Sequence, residues 1–498
     1  MNQVTEIWTK YEKALRRQEQ MGRRADVERA WHFYEGDQWY GLESAEQLPV
    51  YNFIAPTVKY KVANVAMNQM QIYFSPLQSG PREKQLAEQL NRLAASWWEQ
   101  QQMDRLCWQM LQESAVAGES YLYIYNERGD CQVLDTLNVL LADDSVRDLQ
   151  SQPYIIVYER RDAERVRQQA LELGVPAKEV AKIQSDAQER KSVSTAAGEA
   201  QDDGKCSCLL YMRKEKAGIR FLRCTKYVQL GSEQLITGLT HYPLISLVTA
   251  PRKGTAYGRG EVLPLIQNQI EVNRNLARRI INAKMTAYSR LVYATDKIDN
   301  PEALGEVGSA IAVNDSSIAD VQDAVGYVTP SPMSGDAKII CDEMISVTRE
   351  LAGAGNALTG NIDPTMTSGA AIIAVRDQAQ IPLNENIAAY RAFVEAVARV
   401  WYQLWICYLP LVFGVNEENF TALELKALRP QIRVDATSTT PFSKYAREQS
   451  LEKLLEAGHI GLEEFVTALD DDSSIPKAHL LEIMKRRKEK EYATLREN

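Results

Sequence analysis

The chain has 498 residues, 45% hydrophobic and 25% charged, the balance of a folded protein with room for several domains and a sizeable core. Its net charge of −9 argues against a protein that grips nucleic acid through overall charge. Seven cysteines, odd in number and scattered, with Cys206-Ser-Cys208 lacking a second pair or a nearby histidine, read as reduced core thiols rather than a zinc site or a disulfide framework.

In chain order, residues 3–23 predict an amphipathic helix with Val4, Ile7, Trp8, Tyr11 and Leu15 on one side. A second short helix runs into Trp31–Trp39, where Gly36 and Asp37 break it and the aromatics anchor a turn. Residues 49–53 read as extended and lead into a helix through Met70. Residues 83–117 read as one long helix (Leu86, Leu90, Leu93, Trp97, Leu106, Met110) closed at Gly118. A hairpin follows over 121–125 and 131–134, then a strand over 154–160. Residues 163–190 are helical with interruptions at Gly174 and Pro176, 191–204 read as a mobile loop, and strands return over 206–248.

Two long helical stretches then flank a small α/β insert. The first starts at Gly258-Arg-Gly260-Glu261 and runs to Tyr288. The second runs from Ala370 to about Leu409, interrupted at Pro382. They would be roughly 40 and 60 Å long. In the first, Leu263, Ile266, Ile270, Ala277, Ile280 and Ala287 make a narrow apolar stripe. The rest is amides and arginines, including Gln267, Asn273, Arg274 and Arg278. So narrow a stripe beside so polar a face suits a helix that packs against copies of itself. Residues 290–335 alternate apolar and polar among Gly, Asn and Pro, a helix covers 336–352, and 353–369 is a glycine-rich loop. A strand at 431–434 and a helical tail finish the chain. Thr440-Pro441 reads as a helix start, Gly458 as a helix end, and 475–497 as a basic-then-mixed helix.

Chemistry-bearing motifs are missing. The four histidines lie far apart in sequence, and the glycines near Gly355 lack the lysine of a phosphate loop. Gly254–Gly260 (GTAYGRG) reads as a flexible joint before a helix. The acidic pairs Asp143-Asp144 and Asp471-Asp472 read as solvated turns. Neither an enzyme, a cofactor nor a metal is expected. The run from Val400 to Val415 is too short and too polar to span a membrane, and the first residues hold no signal-peptide core, so no membrane association is expected.

The order of helix, α/β insert, helix, glycine-rich loop and kinked helix resembles the portal protein, or head-to-tail connector, of tailed bacteriophages. Phe33-Tyr-Glu-Gly-Asp-Gln-Trp39 with Pro49 and Asn52 is similar to a common portal opening. His241-Tyr-Pro243 leading to Gly258-Arg-Gly260, with Gln269 and Asn273 in the next helix, resembles the portal stretch entering the stem, and Thr367-Ser368-Gly369 at the head of the kinked helix and Leu455-Glu-Ala-Gly458-His-Ile460 near the end also match. One departure is Ala142-Asp143-Asp144, where portals often carry an aspartate-proline pair.

The resemblance implies a mostly helical α+β portal fold. It would have a wing (1–257), stem helices (258–289 and 336–357), a clip (290–335), a tunnel loop (358–369), a kinked helix with a return strand (370–439) and a helical crown (440–498). It implies a ring, usually of twelve subunits, at the capsid vertex of the virion, assembled in the host cytoplasm. Its partners would be a terminase motor, a tail adaptor, capsid and scaffolding proteins, and double-stranded DNA passing through without sequence recognition. DNA-facing candidates are Thr359, Asn361, Asp363, Thr365, Met366, Thr367 and Ser368 in the tunnel loop. Stem candidates are Gln267, Asn273, Arg274 and Arg278, and partner-docking candidates are Asp296, Lys297, Asp299 and Glu306. The alternatives are a non-viral helical oligomeric scaffold, which would need the same long helices, or another viral connector ring, which is usually much shorter.

Overall fold

A computed structural model describes residues 3–40, 48–77, 80–186, 204–287, 290–305, 308–310, 312–314, 325–328, 335–353, 381–408, 422–438 and 450–469, with five positions between 477 and 484. The fold is mixed α+β. The chain divides into two compact units. The larger comprises Met1–Trp31, Val58–Leu263 and Asn356–Asn498, and the smaller His32–Thr57 and Pro264–Gly355. Residues 32–57, expected in the wing, thus group with the stem and insert.

The larger unit contains a five-stranded antiparallel sheet in the order Val139–Leu141, Tyr154–Asp162, Lys205–Lys214, Gly218–Cys224, Gln234–Thr237. The helix Gln3–Gln20 lies on it. Val4, Ile7, Tyr11 and Leu15 recur every three or four residues and so share one helix face, which meets Leu140, Ile156, Tyr158, Leu209 and Leu222 from alternate strand positions. A second cluster (Val166, Ala170, Val180, Ile183, Cys206, Leu230) seats the helix Ala163–Glu172, whose first turn is capped by the Asp162 carboxylate accepting from the Arg165 amide at 3.0 Å.

Two expectations fail in this unit. The helix predicted over 83–117 is two helices, Pro81–Gln100 and Met103–Ala117, separated at Gln102, whose φ of 51° is left-handed. The helix predicted through Met70 stops at Ala66, and Asn68–Ser75 is a strand paired antiparallel with Gln431–Ser438. A three-stranded sheet joins the expected hairpin, Glu119–Ile124 with Cys131–Leu134, to Leu244–Val248. Of the kinked helix, residues 370–380 and Leu409 lie outside the described residues. The rest is a single tight turn Ile381–Leu383, which holds Pro382, and the helix Asn384–Cys407. Its Trp401 and Trp405 pack edge-on to Trp97 at 5.7 and 5.4 Å.

GTAYGRG is not a flexible joint. Gly118, in a left-handed conformation at φ 106°, ends the helix Met103–Ala117 as expected. Gly258 and Gly260 then lie backbone to backbone against it. A Cβ at Gly258 would sit 2.1 Å from the Gly118 carbonyl oxygen, and one at Gly260 2.0 Å from that of Val116. Only glycine allows so close an approach. The Gly258 amide donates to the Glu119 carboxylate at 2.8 Å, and the same carboxylate takes the buried Arg23 guanidinium, which lies over the Tyr257 ring at 4.0 Å. Burial raises the Glu119 carboxyl above its ordinary value, with Arg23 and the Gly258 amide opposing.

All seven cysteines are free, and burial pushes Cys107, Cys131 and Cys224 up to about 12, the state of unreactive thiols. Among the described residues no helix is long and apolar enough to cross a membrane, and no group of acidic, histidine or cysteine side chains could hold a metal ion.

Candidate functional site

The smaller unit carries the predicted stem and insert. Its long helix, Ile266–Ala287, spans about 33 Å at the usual rise per residue. It pairs with Asp336–Leu351: Asn268 donates to the Thr348 hydroxyl at 2.8 Å, and Asn275 to the Ala337 carbonyl at 3.0 Å. Rising numbers on one helix meet falling numbers on the other, so the two run antiparallel, and the insert connects them at one end.

The polar face of the long helix is not uniformly exposed. Gln269 and Asn273, four residues apart and so on one side, are buried. Together they bind the backbone of an extended segment as a neighbouring strand would. The Gln269 carboxamide oxygen accepts from the Phe53 amide at 3.1 Å, and its NH2 donates to the Tyr51 carbonyl at 2.7 Å. Asn273 accepts from the Tyr51 amide at 3.0 Å and donates to the Gln38 side chain at 2.5 Å. Gln38 in turn donates to the Phe33 carbonyl, and Asn52 to that of Tyr34, both at 2.9 Å. The aromatic turn is thereby strapped to the helix. Asn273, read from sequence as part of an exposed face, is instead a buried connector. Gln267, Arg274 and Arg278 do lie exposed, and Arg274 pairs with Glu271 at 2.8 Å.

Apolar side chains lie uncovered on both helices. Ile280, Ile281 and Met285 are exposed on the long helix, and Ile339, Ile340, Val347 and Leu351 on its partner, Ile339 by 64% and Leu351 by 79%. Inward positions of the partner helix, Cys341 and Thr348, are buried separately. The shorter helix therefore carries a covered face and, at Ile340, Val347 and Leu351, a second apolar stripe that is exposed. An isolated exposed isoleucine is ordinary; here seven exposed apolar side chains lie on one helix pair.

The insert contains the ladder Arg290–Tyr293 with Val325–Val328, and a bridge between Ile298 and Val313. Buried Ile298 anchors a turn in which the Asp299 amide donates to Ala312 at 3.1 Å and the Asn314 amide to Lys297 at 2.9 Å. Asp296 projects into solvent, Lys297 is half-buried, and the exposed Asp299 carboxylate accepts from the Asn314 side chain at 2.6 Å. Glu306 lies outside the described residues, as do all seven tunnel-loop candidates: Thr359, Asn361, Asp363, Thr365, Met366, Thr367 and Ser368.

The sequence reading missed the strapping role of Gln269 and Gln38. The available signal was two amides one helical turn apart within an amide-rich face. Compared with known protein families and with curated proteins, the chain matches none.

Proposed function

We propose that the chain is the subunit of a phage-type portal: a closed ring at one capsid vertex of a virion, through which double-stranded DNA is packaged and later leaves. The observation that carries this reading is the antiparallel helix pair with uncovered apolar side chains on both members and a small insert at one end. Burying an isoleucine, leucine, valine or methionine is worth roughly 1.5–3 kcal/mol, so a helix pair with seven such side chains exposed gains by meeting copies of itself. The portal resemblance of the sequence motifs supplies the remainder. In this reading the insert, with Asp296, Lys297 and Asp299, docks the terminase motor and afterwards a tail adaptor. The segment 358–369, free of lysine and arginine, lines the channel. Few phosphate contacts there let a polyanion slide. Capsid and scaffolding proteins are the outer partners.

Electron microscopy of the purified full-length protein tests the reading. Rings with a central hole are expected. Only monomers or two-fold dimers at micromolar concentration, across several salt conditions, would overturn it.

A further inference from the structure

The stretch 250–259, next to the glycine contact, forms a rigid ribbon turn with an unusual charge. Pro251 and Gly258 form an antiparallel bridge, and the Arg259 amide closes the ribbon on the Ala250 carbonyl at 2.9 Å. The Ala256 amide donates to Asp144 at 2.6 Å, and the Arg147 guanidinium braces the tip by donating to the Arg252 carbonyl at 3.1 Å. Thr255 and Tyr257 are buried beneath. At the tip Gly254 has φ 77° and open space around it. Held at both arms, the turn loses little freedom when something binds it.

Four cations project from this turn and its brace: Arg147, Arg252, Lys253 and Arg259, all exposed. Among the described residues none of them is in an ion pair, in a chain whose net charge is −9. The nearby acids are largely committed. Asp144 pairs with Arg17, Asp143 accepts from Ser145, and Asp148 from Gln150. No large apolar side chain is exposed between 250 and 259, so the turn lacks the aromatic or aliphatic anchor on which a protein partner depends. Three of the four cations are guanidinium groups, which bind phosphate oxygens in pairs.

We propose that this turn is a phosphate-binding knuckle for the backbone of double-stranded DNA, read by charge and without base recognition. It requires no ring, so it stands or falls separately from the portal reading.

The test is fluorescence anisotropy of a labelled random-sequence duplex with full-length protein over a range of salt. Four phosphate contacts would contribute about −0.9 each to the slope of log affinity against log salt. Arg252→Ala with Lys253→Ala should make that slope shallower by about 2 and weaken binding at low salt at least about tenfold. Arg252→Lys, which keeps the charge, should leave the slope unchanged. Affinity and slope unchanged in the double alanine variant would overturn the proposal. So would polyglutamate displacing the duplex at equal charge concentration, because that outcome assigns the turn to an acidic protein.

Discussion

At the scale of single residues, Asn273 has the clearest consequence. It sits at 1% exposure with its oxygen on the Tyr51 amide and its NH2 on Gln38. Asn273→Leu keeps the branched outline of the side chain and removes its hydrogen bonds, leaving buried polar partners unpaired at about 1–3 kcal/mol. We expect the strap 48–53 to become the first site of limited proteolysis while the helix pair keeps its circular dichroism. An unchanged cleavage pattern would show that Gln269 alone holds the segment. The need for an amide here was legible in the sequence only as an excess of Asn and Gln on one helix. The Tyr51 backbone amide and the Gln38 side chain that Asn273 meets lie more than two hundred positions away, and no local pattern encodes them.

At the scale of elements, the helix Asp336–Leu351 presents Ile340, Val347 and Leu351 on one stripe, by spacings of seven and four residues. Ile340→Glu with Val347→Glu should leave the isolated chain about as stable as the parent in urea, because Ile340 and Val347 are 51% and 43% exposed. Assembly should be lost, and sedimentation velocity would read it. Wild-type-sized particles from the double variant would show that the stripe is not an interface. Elements that depend on their own sequence were read well: the amino-terminal helix from its 3–4 spacing, the hairpin from its turn, the helix end at Gly118. Two others were not. Leu90, Leu93, Trp97, Leu106 and Met110 continue the apolar rhythm across Gln101 and Gln102, so neither glycine nor proline marks the break. Asn68–Ser75 became a strand because Gln431–Ser438 pairs with it, a contact that no window of sequence contains.

At the scale of the whole molecule, the portal reading makes the segment 358–369 the narrowest lining of a channel. Thr365→Lys would then place one added cation per subunit around the DNA. Contacts too weak to matter singly would sum into a brake that eases as salt rises. Packaging assays should show slower filling at low salt, with assembly intact; filling at the parent rate would remove the segment from the channel. The order of elements in the stem and insert was legible because it lies in consecutive sequence. The grouping of His32–Thr57 with that unit was not, since it rests on side-chain-to-backbone bonds between distant segments.

The pairing of Asn68–Ser75 with Gln431–Ser438 also bears on biosynthesis. A ribosome releases the first strand long before the second exists, so every nascent chain carries an open strand edge for most of its translation. The extended segment around Tyr51 waits in the same way for Gln269 and Asn273. Translation itself thus acts as a timer: until Gln431–Ser438 has been made, the strand Asn68–Ser75 has no partner to pair with.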